Sequence, residues 1–141
     1  MAATDLNTVR STIEDRIKAE LATTPPVAVV FQNVPYTPTP NSSWCQCVLT
    51  FNSTSYLTQG AATASSNRID GLVTLNVFTP KGSGGGANFT IGKRLRDLFN
   101  RIEVSGVRFD APTGPQIIAN AVPEGYYQTS LSITFEVFEY L

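Results

Sequence analysis

The sequence predicts a single α+β domain, in which one mostly antiparallel β-sheet carries two helices on one face. Three observations lead to this fold class. Residues 69–78 alternate apolar and polar side chains with period two, as a half-buried strand does. Residues 91–102 repeat apolar side chains at spacings of three and four, as an amphipathic helix does. Residues 126–140 form the longest alternating run, and a chain of 141 residues fits one domain over 1–141.

The first segment predicts an amphipathic helix. Thr4 or Asp5 can cap it, because a short oxygen side chain accepts from the free amides of the first turn. Prolines 25 and 26 then end the helix. A β-branched strand is expected over residues 27–32, followed by a stiff proline-rich loop over residues 33–43. The apolar side chains that recur at helical spacing are Leu6, Val9, Ile13, Ile17 and Leu21.

The next strand begins at Trp44 and alternates to Phe51, which places Cys45 and Cys47 on one face. Two cysteines so placed are expected to be small buried hydrophobes, since strand geometry disfavours a disulfide between them. A metal site would need further ligands, and the chain has no histidine and no other cysteine. Residues 52–68 are polar and poorly patterned, so we expect a long connection there, with at most a short strand at Tyr56 and Leu57.

The central strand is expected to end at Thr79 and Pro80, before a flexible glycine-rich bridge over residues 81–86. After the second helix we expect a short strand at residues 107–109 and a turn over residues 110–115. Another strand should follow over residues 116–122, with a hairpin turn at 123–125 leading into the last strand.

Composition restricts the possible functions. The net charge is −1, so there is no bulk attraction to nucleic acid or to an anionic membrane. No apolar run is long enough to span a bilayer, and the N-terminus lacks the pattern of a secretory signal. Two cysteines separated by one residue make no disulfide framework, so we expect a protein made in a reducing cytoplasm. Without histidine, Ser–His and Cys–His nucleophile pairs are excluded, and we expect no catalytic residue, cofactor or metal.

Two features allow an alternative function. The glycines from Gly82 to Gly86 precede a helix and follow a strand, as in a nucleotide-binding module. Pro80 and Lys81 interrupt that junction, however, and the remaining strands suggest hairpins, so a flexible connector explains the glycines better. The second feature is the basic cluster of the second helix, which could face nucleic acid, although Asp97 and Glu103 interleave with it. The cluster consists of Lys93, Arg94, Arg96 and Arg101.

The order of the motifs resembles the tail terminator-like proteins of tailed bacteriophages over nearly the whole chain. An N-terminal helix is followed by Phe31-Gln-Asn-Val-Pro-Tyr36 and by a strand that opens at Trp44. Arg68-x-x-Gly71-Leu-Val then leads through the glycine-rich bridge into Ile91-Gly-Lys-Arg-Leu-Arg-Asp-Leu-Phe99. The chain closes with Gly106-Val-Arg-Phe109 and the final strand from Tyr127 to Phe135.

This resemblance implies a structural, non-enzymatic virion protein. A hexameric ring would cap the growing tail tube, end its polymerisation and join it to the head connector. The implied partners are the chain itself, the tail tube protein and the head–tail connector or neck protein. DNA would pass through the lumen without specific binding, and no membrane is involved. The protein would lie at the head-proximal end of the virion tail after assembly in the host cytoplasm.

We expect the subunit contacts to come from the long strands, the polar loops and the basic helix. Either another neck or tail component, such as a head-completion or tail tube protein, or a small nucleotide-binding module remains an alternative function. The residues that we predict at interfaces are Tyr36, Trp44, Tyr56, Arg68, Arg94, Arg101, Tyr126 and Gln128.

Overall fold

A computed structural model describes residues 5–23, 26–39, 41–56, 66–82, 84–120 and 122–140. It confirms the α+β class, with two helices and one large, mostly antiparallel sheet. The elements in chain order are α1 (Leu6–Leu21), β1 (Ala28–Val30), β2 (Trp44–Tyr56), β3 (Ser66–Pro80), α2 (Gly86–Phe99), β4 (Glu103–Val104), β5 (Val107–Phe109), β6 (Thr113–Ile118) and β7 (Tyr126–Tyr140).

Helix α1 begins where its sequence predicts. The Asp5 side chain accepts from the Asn7 amide at 2.9 Å, which satisfies one of the free donors of the first turn. The predicted stripe packs on the sheet except at its start, because Leu6 is 41% exposed. The buried residues of this stripe are Val9, Ile13, Ile17 and Leu21.

The sheet has the strand order β1-β2-β3-β7-β5-β4, and β6 pairs with β7 beside β5. The long strands β2, β3 and β7 pair antiparallel, whereas the short β1 runs parallel to β2. Consequently β3 and β7 are interior strands with a partner on each side. The surfaces that we predicted on these two strands are therefore faces of the sheet and not edges.

Helix α2 packs on the same face as α1. Leu95 and Phe99 have no exposed surface and join the core with Ile13 and Ile17 of α1. The apolar repeat continues to Ile102, but the helix ends at Phe99 and Asn100 caps it in an extended conformation. The core lies between the two helices and the sheet. The sheet contributes the odd-numbered side chains of β2, β3 and β7, among them Cys45, Cys47, Val73, Leu75, Val77, Leu131, Ile133 and Phe135.

Three predicted boundaries are wrong. Part of the supposed loop at residues 52–68 is strand, since β2 continues to Tyr56 and β3 begins at Ser66. Beyond a bulge after Phe51 these segments still pair, but their polar, exposed side chains leave no apolar period to detect. Leu57 lies outside the described residues. The strand expected over 27–32 is shorter, and the one expected over 116–122 begins earlier, at Thr113. Strand β4 was not predicted, because two residues carry no periodicity.

Candidate functional surface

The face of the sheet opposite the helices carries no helix among the described residues, so we consider it the candidate functional surface. We call it the open face. It is formed by the even-numbered residues of β7 and of β3, with their cross-strand partners on β2. Its side chains change along the strands from charged, through small and polar, to aromatic.

The aromatic end of the open face is a compact cluster. The Trp44 ring stacks on Phe78 with centroids 4.2 Å apart and planes at 16°. Tyr126 meets both rings edge-on, at 6.1 Å from Trp44 and 6.4 Å from Phe78. Tyr36 tilts against Trp44 at 5.4 Å, and Val30 completes the cluster. We call these residues the aromatic cluster; it unites three of the predicted interface residues, Tyr36, Trp44 and Tyr126.

A row of side-chain amides lies beside the aromatic cluster. Gln128 donates from Nε2 to Oδ1 of Asn76 at 3.2 Å, and Asn76 donates from Nδ2 to Oε1 of Gln46 at 3.2 Å. The row crosses β7, β3 and β2, so it ties the three long strands together on the open face. Gln128 is a predicted interface residue, whereas Gln46 and Asn76 were missed, although alternation in both strands places them on this face.

The opposite end of the open face carries balanced charges. Nε of Arg68 lies 3.5 Å from Oδ1 of Asp70 and 3.9 Å from Oε2 of Glu136. Nη1 of Arg108, in β5, lies 3.3 Å from Oε1 of Glu136. These side chains are partly exposed, so each pair contributes little to stability. Two arginines face two carboxylates here, so the charges of these four side chains balance. Between the two ends, the surface consists mainly of hydroxyl and small aliphatic side chains: Val48, Thr50, Leu72, Thr74, Ser130, Ser132 and Thr134.

The outer edge of β2 is largely unpaired among the described residues. Strand β1 covers it only at residues 44–46, and the side chain of Gln32 accepts from the Leu49 amide at 2.9 Å just beyond. The end of β2 then extends past the core, and Tyr56 is 87% exposed there. On the far side of the sheet, β6 pairs with no strand but β7 among the described residues. Arg96 of α2 donates to the Pro112 and Gly114 carbonyls at 2.7 and 2.8 Å, so the outer edge of β6 is free of strand partners but partly covered at its start.

The other two predicted interface residues belong to α2 and to the turn that follows it. Arg94 of α2 donates from Nη2 to the Glu20 carbonyl at 2.8 Å and to Thr23 Oγ1 at 3.1 Å, which fixes α2 against the end of α1. Arg101 follows α2 with a left-handed φ of 53°. It lines a polar groove of about 380 Å³ together with Arg108 and Glu136, and so adjoins the charged end of the open face.

The two cysteines are buried thiols on the core face of β2. Burial raises the pKa of both thiols, and a neighbouring acidic group raises each pKa further, Cys47 for Cys45 and Glu14 for Cys47. Both are therefore inert as nucleophiles. No group of three or more ligating side chains occurs in the described part of the chain. No helix there is long and apolar enough to cross a bilayer.

The glycine-rich bridge does connect β3 to α2, with Gly82 and Gly84 at left-handed φ of 92° and 83°. However, β3 runs antiparallel to both of its neighbours, β2 and β7. A dinucleotide site needs parallel strands on either side of the helix. The bridge therefore lacks the strand arrangement of a nucleotide-binding module.

Sequence comparison identifies the family of this chain. The profile of the phage tail terminator protein family matches residues 8–135, which is most of the chain. The chain belongs to this family. Tail terminator proteins are structural components of phage tails, so the chain has a structural role in the tail of a virion. A search of curated proteins found no matching sequence.

A structural comparison supports the fold of this tail terminator protein. One solved structure superposes with a TM-score of 0.70 and covers 95% of this chain and 96% of its own length. Only 18% of the residues are identical, so the likeness concerns the fold alone.

Proposed function

We propose that this protein forms a ring, hexameric by family resemblance, that caps the tail tube, ends its polymerisation and joins it to the head connector. The observation that carries the proposal is the match of the tail terminator family to residues 8–135. In this role the chain is not an enzyme, and it acts through contacts with copies of itself, with the tube protein and with the connector or neck protein.

The two free edges suit head-to-tail assembly. The outer edge of β2 and the outer edge of β6 lie on opposite sides of one sheet. Strand β6 is antiparallel to β7, which has the same direction as β2, so β6 of a similarly oriented neighbour would run antiparallel to β2. A contact between two different surfaces closes into a ring when the rotation between copies permits.

Seven of the eight predicted interface residues fall into three groups on this molecule. Tyr36, Trp44, Tyr126 and Gln128 form or adjoin the aromatic cluster. Arg68 and Arg101 lie at the charged end of the open face, and Tyr56 lies at the exposed end of β2. We propose these as contacts with neighbouring copies, tube or connector, and assign Arg94 a mainly internal role because its guanidinium holds α1.

A ring around a DNA passage must not bind the DNA tightly. The net charge of −1 and the paired arginines of the open face give no strong attraction to a polyanion. We therefore propose that DNA passes through the lumen without specific contacts, in a ring located at the head-proximal end of the tail and assembled in the host cytoplasm.

Deletion of the gene from the phage tests this function. Electron microscopy of the lysate should show overlong tails that lack heads. Tails of normal length would overturn the proposal, and a complete absence of tails would instead indicate a tube subunit. Light scattering on the purified protein should show a species about six times heavier than the 15.2 kDa chain; if the ring assembles only on the tube, the chain should instead sediment with added tube.

A further inference from the structure

The segment that crosses the aromatic cluster is weakly attached to its own chain. We call residues 34–39 the strap. Asn33 and Asn41 flank it with left-handed φ angles of 61° and 60°, a conformation that asparagine tolerates better than most residues. In the described part of the chain, residues 34–38 make no backbone hydrogen bond. Sharp bends at both ends and a backbone without partners are features of a segment that can detach.

The strap holds the cluster chiefly through one ring. Tyr36 contacts Trp44 at 5.4 Å yet remains 38% exposed, and the neighbouring Val34 is 56% exposed. Pro35 and Pro38 keep the backbone of the strap extended both when it is docked and when it is detached. The strap therefore loses little conformational entropy when it docks, on its own chain or on another. A single copy of the chain therefore buries only part of the apolar surface of the strap.

One polar group of the aromatic cluster has no hydrogen-bond partner in the described part of the chain. Trp44 is only 9% exposed, and its indole Nε1–H has no hydrogen-bond partner among the described residues. A buried donor without an acceptor is costly, and such groups usually mark a missing partner. The Tyr36 ring of the strap lies against the Trp44 ring, and the carbonyl oxygens of residues 34–38 have no backbone partner within the residues that the structure describes. Because β1 ends at Val30 and β2 begins at Trp44, the strap is tethered at both ends, which limits where its own carbonyls can reach.

We propose that, in the ring, the aromatic cluster of each copy takes the strap of a neighbouring copy in place of its own. This inference rests on the proposed ring. A strap from another chain keeps the Tyr36–Trp44 contact but is anchored to the strands of a different copy, so it can lie at a different angle and one of its carbonyls can accept from Trp44 Nε1–H. Exchange of an identical segment creates an intersubunit contact at low cost. Since every copy both gives and receives a strap, successive exchanges link the copies head to tail, and they close the ring when the rotation between copies permits.

The chain's single tryptophan makes this exchange measurable. In a mixture of Tyr36→Ala and Trp44→Phe chains, all tryptophan emission comes from the Tyr36→Ala chain, whose own strap lacks the tyrosine. In rings of Tyr36→Ala alone, we expect emission at longer wavelength than in wild-type rings, because Trp44 loses its cover. Excess Trp44→Phe chains should return the emission to the wild-type wavelength, since their intact straps dock on the neighbouring Trp44.

A matched control replaces the second chain by the double variant Tyr36→Ala/Trp44→Phe, which should restore nothing. Suppose that light scattering shows mixed rings while the emission wavelength stays that of Tyr36→Ala alone. The straps then remain on their own chains, and the exchange is overturned although the proposed ring is not. If the wild-type chain forms no ring with tube present, the proposed function and the exchange are both overturned. Trp44→Tyr can replace Trp44→Phe as the donor chain if the latter does not fold.

Discussion

The ring of Phe135 lies over Gly71, its direct partner across the β3–β7 ladder, and fills the space of the missing side chain. A Cβ on Gly71 would lie 2.2 Å from Cζ of Phe135. We expect Gly71→Ala to lower the free energy of unfolding by about 2 kcal/mol or more, since overpacking a dense core forces side chains off their rotamers. Urea denaturation followed by circular dichroism measures this loss.

A double variant tests the cause. Phe135→Leu carries its own cost, but it removes the ring atoms that a methyl group at position 71 would overlap. The loss in Gly71→Ala/Phe135→Leu should therefore be smaller than the sum of the two single losses by more than about 0.5 kcal/mol. Additive losses would mean that the two positions are not in contact.

Two glycines of α2 should respond in opposite ways to alanine. A Cβ at Gly92 would lie 2.4 Å from Cγ of Pro115, whereas nothing lies within 4 Å of one at Gly86. Alanine gains up to about 1 kcal/mol over glycine inside a helix, but overpacking costs about 1–3 kcal/mol. Thermal unfolding should show Gly92→Ala to be less stable than the wild type, and Gly86→Ala to be equally or more stable. A stabilised Gly92→Ala would contradict the close approach of α2 to β6.

The buried amide of Asn88 should be essential for docking α2. It accepts a short hydrogen bond from Thr79 and donates to the Val77 and Tyr127 carbonyls at 3.2 and 3.3 Å. Asn88→Ala leaves these groups unpaired without access to water, so we expect a loss of about 2 kcal/mol or more in the free energy of unfolding. The exposed Thr90→Ala on the same helix is the control, with an expected change within about 0.5 kcal/mol. Equal losses in the two variants would rule out this role.

The buried thiols should make the fold less stable at high pH. Burial, aided by the nearby Glu14 carboxylate, raises the pKa of Cys47 from 9.0 to about 12, and burial also raises the pKa of Cys45. Above pH 9 the unfolded chain loses thiol protons that the folded chain keeps. The free energy of unfolding should therefore fall by up to about 1.4 kcal/mol per pH unit for each thiol.

Urea denaturation between pH 8 and pH 11 measures this slope, and Cys47→Ala should flatten it even though alanine lowers stability at every pH. A thiol reagent at pH 8 gives a second measurement, since neither cysteine should react until the chain unfolds. Rapid labelling of the folded protein would contradict the burial of both side chains.

Arg101 should lower the stability of the single chain. Its φ of 53° lies in the left-handed region, which favours glycine at the residue after a helix. We expect Arg101→Gly to raise the free energy of unfolding by about 1 kcal/mol. If its guanidinium contacts a neighbour, the same variant should cap fewer tube ends, as counted by electron microscopy. Gly106→Ala, at a φ of 83° and with open space around the Cβ, should show the reverse change in stability.

The periodicity of apolar side chains was sufficient to predict the long helices and strands. The apolar repeats of α1 and α2 and the alternation of β3 and β7 report which side chains are buried, and each spans enough residues to be unambiguous. The same alternation predicted that Cys45 and Cys47 share a face. Periodicity failed where both faces are exposed, as at the end of β2, and where a strand has two residues, as in β4.

Local sequence therefore determined the class of the fold and the two faces of its sheet, because burial imposes a period of two or 3.6 on neighbouring residues. Only the tertiary structure decided which residues meet across strands. Tyr36, Trp44, Phe78 and Tyr126 are brought together by the ladder register and the strap, and Phe135 reaches Gly71 only because β7 lies beside β3. Pairing between distant segments depends on the register of the whole sheet, which no short stretch of sequence contains.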